Sequence, residues 1–141
     1  MTVAATLVTA SAGIILFLGV VHLVYTFVGS KLHPRDAALA ERMKVVSPVI
    51  TSQTSMWHAW VGFNASHSIG AILFGTVFAY LAASHSVMLF QSGFLLSIGL
   101  ITLLSYLFLG ARYWFSIPFR GVAISTTLYV SALAVANFAV I

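Results

Sequence analysis

Residues 57–70 read Trp57-His58-Ala59-Trp60-Val61-Gly62-Phe63-Asn64-Ala65-Ser66-His67-Ser68-Ile69-Gly70, and the run continues to Ala83 without a Lys, Arg, Asp or Glu. About 20 apolar residues in a helix cross about 30 Å of hydrocarbon, so Trp57 to Ala83 is long enough to span a membrane. Inside it sit an amide and an imidazole, Asn64 and His67. Polar groups are expensive in hydrocarbon, so those found there face a bundle interior and often mark a site.

The rest of the chain follows the same pattern. Of its 141 residues 61% are hydrophobic and 6% charged, and the mean hydropathy is +1.09. A soluble domain with so little charge would expose apolar patches large enough to drive association, so the composition defines an integral membrane protein. Beside Trp57 to Ala83, the runs Val3 to Val28, Met88 to Ala111 and Pro118 to Val140 are each long enough to span. Transmembrane barrel strands would alternate apolar and polar residues in runs of about ten, and these runs do not. The expected fold is all-α: one transmembrane domain over residues 1–141, a four-helix bundle with spans of about 3–28, 57–83, 88–111 and 118–140. Residues Met1 to Gly29 lack the basic start and short apolar core of a cleavable signal, so they are read as a retained first span.

The charges orient these spans. All six Lys and Arg fall in the first and third connections: Lys31, Arg35, Arg42 and Lys44 in the first, Arg112 and Arg120 about the third. The second connection, Ser84-His85-Ser86, is a tight turn with no formal charge. The positive-inside rule makes the charged side cytoplasmic and both termini extracytoplasmic. Trp57, Trp60 and Trp114 lie at the cytoplasmic ends, as an interfacial aromatic belt would. The first connection is expected to carry a short cytoplasmic helix, with Pro34 at its first position, good helix formers over Ala37 to Val46, and Pro48 closing it. Thr51 to Ser55 then offer N-cap oxygens to the second span. A net charge of +4 spread beside apolar spans is no nucleic-acid footprint, so no nucleic-acid partner is expected.

Depth converts the polar residues into a candidate site. At 1.5 Å per residue, His67 lies about 15 Å in from Trp57, Asn64 about 10 Å in, and His22 about 12 Å in from Ser30. Thr102, Ser105 and Tyr106 on the third span, and Ser125, Thr126 and Tyr129 on the fourth, count to similar depths. The candidate ligand-binding residues are therefore His22, Asn64, His67, Tyr106 and Tyr129, in a polar layer of the cytoplasmic half. Asn64 and His67 are three apart and share a helix face. His58, nine residues from His67, points nearly opposite and is read as interfacial, while His33 and His85 are read as solvated loop residues. Gly62, Ser66 and Gly70 recur every four residues, and Ala71 and Gly75 extend a similar pattern. Such small-residue seams let helices approach closely, which fits packing inside the monomer, a homo-oligomer or a partner membrane subunit.

The chemistry open to this layer is narrow. Cysteine is absent, which removes disulfides, thiolate metal sites and cysteine nucleophiles. No carboxylate lies within a span, which excludes a carboxylate proton relay and the usual di-iron bundle site. No phosphate-cradling loop or nucleophile elbow is present, and Ser66 and Ser68 point away from the adjacent His67. Four spans without an inverted repeat argue against transport by one monomer. Three readings remain. The first is a pocket for a hydrophobic small molecule or membrane lipid, or an accessory subunit, built on His22, Asn64, His67 and aromatics. The second is a b-type haem protein with His22 and His67 as axial ligands. The third is an enzyme using His67 as acid or base on a lipid-soluble substrate.

The stretch Phe63-Asn64-Ala65-Ser66-His67-Ser68-Ile69-Gly70, taken with Gly19-Val20-Val21-His22-Leu23 and Met56-Trp57, resembles a family of small bacterial four-span membrane proteins over most of the chain. The Asn-x-Ser-His-Ser core is its distinctive element. There is a looser likeness to the DoxX-like four-span proteins, which also carry a His late in the first span. The resemblance implies the four-span architecture and a bacterial inner membrane, and it points to the same His22, Asn64 and His67. It implies no reaction.

Overall fold

The computed structural model describes residues 2–138. The described chain is all-helical: α1 (Val3–Phe27), α2 (Ala37–Val45), α3 (Met56–Ser84), α4 (Ser86–Gln91), α5 (Gly93–Tyr113) and α6 (Ser116–Phe138). Among the described residues, α1, α3, α5 and α6 are the helices long and apolar enough to cross a membrane. The protein is thus a multi-pass membrane protein, with spans close to those expected from hydropathy. The last residues of the fourth expected span, 139–140, lie outside the described residues.

Two local features differ from expectation. The third apolar run is not one helix: it breaks at Ser92, whose hydroxyl accepts from the Leu95 N–H at 3.2 Å and caps α5. The break leaves α4 with six residues, about 9 Å of helix and too short to cross. In the first connection, α2 is capped by Asp36 rather than begun by Pro34. The Asp36 carboxylate accepts from Ala38 N–H at 2.8 Å and Leu39 N–H at 3.3 Å. A carboxylate satisfies two orphan amides and meets the positive end of the helix dipole, whereas Pro34 only avoids wasting one. None of the α2 side chains is buried. The Ser55 hydroxyl accepts from His58 N–H at 3.3 Å at the start of α3, as the polar stretch before it predicts. Gly29, at φ 79°, takes the left-handed conformation that ends α1.

The chain packs as two compact units. One comprises the chain up to Leu18 together with the chain from Ala71 onward. Within it α1, α3, α5 and α6 bury a shared core of Val8, Ile15, Phe74, Phe78, Leu103 and Tyr129 among others. Close approach is built in by glycine. A Cβ at Gly75 of α3 would lie 2.7 Å from the Ala12 carbonyl oxygen and the Leu16 nitrogen of α1. A Cβ at Gly99 of α5 would lie 2.7 Å from the rings of Phe78 and Tyr129. The same unit contains a buried polar clasp between α1 and α6. Ser11 Oγ donates to the Ser125 carbonyl at 2.8 Å, and Ser125 Oγ donates to the Ser11 carbonyl at 2.9 Å. Both serines are fully buried, and each ties its hydroxyl to the other helix.

The second unit is Gly19–Gly70. It holds the end of α1, the first connection with α2, and the beginning of α3. Among its described residues only Gly19 and Ser68 are buried.

Candidate functional site

Three of the five residues expected at the site meet in the Gly19–Gly70 unit. His22 is on α1, and Asn64 and His67 are on α3, one turn apart. The Asn64 carboxamide donates from Nδ2 to the Trp60 carbonyl, one turn back on α3, at 2.8 Å. Only the NH₂ of an amide can donate to a carbonyl, so this bond fixes the amide and turns Oδ1 toward α1. The Asn64 Oδ1 is 2.9 Å from His22 Nε2. A carboxamide oxygen only accepts, so His22 Nε2 carries the hydrogen and donates. In the neutral imidazole the lone pair is then on Nδ1. A backbone carbonyl thus sets an amide, and the amide sets a tautomer.

His67 completes the cluster. Its ring stands edge to face on His22, with centroids 5.5 Å apart and planes at 88°. Both rings and Asn64 are half-buried. Two neighbouring hydroxyls bond their own helices: Thr26 Oγ1 donates to the His22 carbonyl and Ser68 Oγ to the Asn64 carbonyl, each at 2.8 Å.

The connection below the cluster is held by aromatics. Trp60 Nε1–H donates to the Leu32 carbonyl at 3.1 Å. His33 meets Trp57 edge to face at 4.7 Å, so this loop histidine, exposed as expected, has an aromatic neighbour. The Lys31 ammonium lies 5.1 Å from the Tyr25 ring centroid, a cation–π contact. His58 is exposed at the start of α3.

The other two expected residues belong to the other unit and have different surroundings. Tyr129 is core: its hydroxyl donates to the Leu96 carbonyl at 3.1 Å, and its ring packs against Phe78 at 6.1 Å. Tyr106 is half-buried, with its ring 6.2 Å from that of Trp114. Ser125, counted to the depth of His22 from the loop ends, is taken by Ser11. Ser11 was not singled out from the sequence, because a lone serine in an apolar span most often bonds its own helix.

The small-residue pattern on α3 divides in two. Ala71 and Gly75 are buried, and Gly75 is where α1 approaches. Gly62, Ser66 and Gly70 are exposed, and a Cβ at Gly62 would meet nothing within 4 Å. Ala59, Gly62, Phe63 and Ser66 line an open groove on that side.

The arrangement offers an imidazole lone pair on His22 Nδ1 and a second imidazole. It contains no group of three or more His, Asp or Glu able to hold a metal ion among the described residues. Haem ligation through His22 Nε2 would require that nitrogen to give up its proton and its bond to Asn64. No protein-family model, curated protein or solved structure matches the chain.

Proposed function

We propose that the protein is a binding protein of a bacterial inner membrane, with both termini extracytoplasmic. It holds an uncharged, lipid-soluble small molecule or lipid at His22, Asn64 and His67. The observation that carries this reading is the His22–Asn64 hydrogen bond with the amide locked on the Trp60 carbonyl. It presents the Nδ1 lone pair of a half-buried imidazole within a largely apolar span. A ligand with a hydrogen-bond donor, such as a hydroxyl, satisfies that lone pair, and its apolar body satisfies the surroundings. Sites that pair an apolar surface with a few convergent polar groups are the usual form of small-molecule pockets between bundle helices.

The test is the set of small molecules retained on purification, read by mass spectrometry. The unaltered protein and Ser125→Ala are expected to retain the same neutral hydroxyl-bearing molecule, and Asn64→Leu and His67→Ala to lose it. Equal retention by all four proteins would leave His22, Asn64 and His67 as helix-packing residues only.

A further inference from the structure

An exposed surface of mixed charge and apolar character lies at the corner between α5 and α6, remote in sequence from His22 and Asn64. Arg112 closes the last turn of α5, and Arg120 stands near the start of α6. Both arginines are exposed. Between them the chain exposes three large apolar side chains, Tyr113 at 74%, Phe115 at 68% and Ile117 at 70%. The corner is well anchored beneath this surface: a Cβ at Gly110 would lie 3.2 Å from the Trp114 ring and 3.3 Å from the Phe119 ring. The exposed apolar residues are therefore held outward by a packed turn.

The corner carries no carboxylate of its own. The chain has two acids, and both are engaged in the first connection. Asp36 caps α2, and Glu41 pairs with Lys44 at 2.6 Å, the one ion pair among the described residues. The segment from Arg112 to Arg120 contains no acid. Guanidinium groups bind phosphate oxygens through two parallel N–H donors. A surface of two arginines flanking exposed aromatic and aliphatic side chains matches a ligand with an anionic phosphate and apolar chains. The four cations of the first connection stand in a different setting: both acids of the chain lie among them, and Arg42 and Lys44 are on a helix that buries no side chain.

We infer that the α5–α6 corner binds an anionic phospholipid, the phosphate held by Arg112 and Arg120 and the acyl chains lying against Phe115 and Ile117. The inference does not depend on the His22 site. The experiment uses the full chain in micelles doped with equal phosphatidylglycerol and phosphatidylcholine, with bound lipid read by native mass spectrometry. Phosphatidylglycerol should be retained ahead of phosphatidylcholine. Arg112→Gln with Arg120→Gln should lower that preference by roughly fivefold per arginine. Arg35→Gln with Arg42→Gln should leave it in place, and Arg112→Lys with Arg120→Lys should keep part of it while retaining helix content by circular dichroism. Equal retention of the two lipids, or the same loss from the first-connection pair as from the corner pair, would overturn the assignment. Displacement of phosphatidylglycerol by millimolar inorganic phosphate would overturn it too, because the site would then read phosphate alone.

Discussion

The two halves of α3 solve different problems. From Ala71 onward the helix belongs to a unit sealed by apolar contact: Phe74, Phe78 and Ala82 are buried, and Gly75 brings α1 to backbone distance. Up to Gly70 the same helix buries one serine and meets α1 through an amide–imidazole bond. Packing holds one half and polar geometry defines the other. In a bilayer the distinction matters, because lipid tails are as apolar as leucine and the hydrophobic effect gives helices little reason to associate. Close packing carries association there, and interhelical hydrogen bonds add modestly, about 0.6 kcal/mol on average. A cluster such as His22, Asn64 and His67 therefore contributes little to stability for the polarity it places within a span, and binding is the reading that gives it a use.

Two glycines on α3 expose the contrast most sharply. Gly75→Ala puts a methyl against backbone atoms of α1 that cannot rotate away, and should lower unfolding stability in micelles by about 1–3 kcal/mol. Gly62→Ala meets open space and should cost nothing, or gain up to about 1 kcal/mol from helix propensity. Equal losses at the two positions would break the division. Gly99→Ala presses on the Tyr129 and Phe78 rings and should fall in the same 1–3 kcal/mol range, with Phe78→Ala relieving part of it in the double variant.

Smaller effects sharpen the same comparison. Asn64→Leu removes an interhelical bond and should cost about 0.6–2 kcal/mol, measured by the same unfolding transition. Ser11→Ala and Ser125→Ala each break one arm of a reciprocal clasp. A double-mutant cycle should give a coupling of about 0.5–1 kcal/mol, against none between Ser125→Ala and Asn64→Leu. Least visible in the main unfolding transition is Asp36→Ala, whose loss of about 1 kcal/mol should appear only as local opening of α2 by hydrogen exchange.

Most of the architecture was legible in the sequence, because long apolar runs with so few charges have few alternatives in a membrane. That His22, Asn64 and His67 belong to one polar layer was legible for a related reason, the rarity of polar groups inside such runs; the His22–Asn64 hydrogen bond itself was not, because depth does not say which side chains face each other. What could not be read was register. Depth counted from loop ends assumes that every helix begins in one plane, and so it grouped Ser125 and Tyr129 with His22. The structure instead joins Ser125 to Ser11 and gives the Tyr129 hydroxyl to Leu96. The break at Ser92 was written in Gln91-Ser92-Gly93, a polar cap signal that the hydropathy of the surrounding run outweighs. The choice of Asp36 over Pro34 was local chemistry, an anion on two open amides against an imino acid that merely tolerates the position.

The most direct test of the binding account uses a matched pair of probes, dodecylhydroquinone and its dimethyl ether, titrated against the purified protein in micelles. They share the apolar body and differ in the hydroxyl that would donate to His22 Nδ1. The hydroquinone should bind roughly two- to tenfold tighter, the worth of one hydrogen bond, and Asn64→Leu should erase that difference by releasing the His22 tautomer. Equal affinities for the two probes, unchanged by Asn64→Leu, would contradict the account and leave the cluster as a contact between helices.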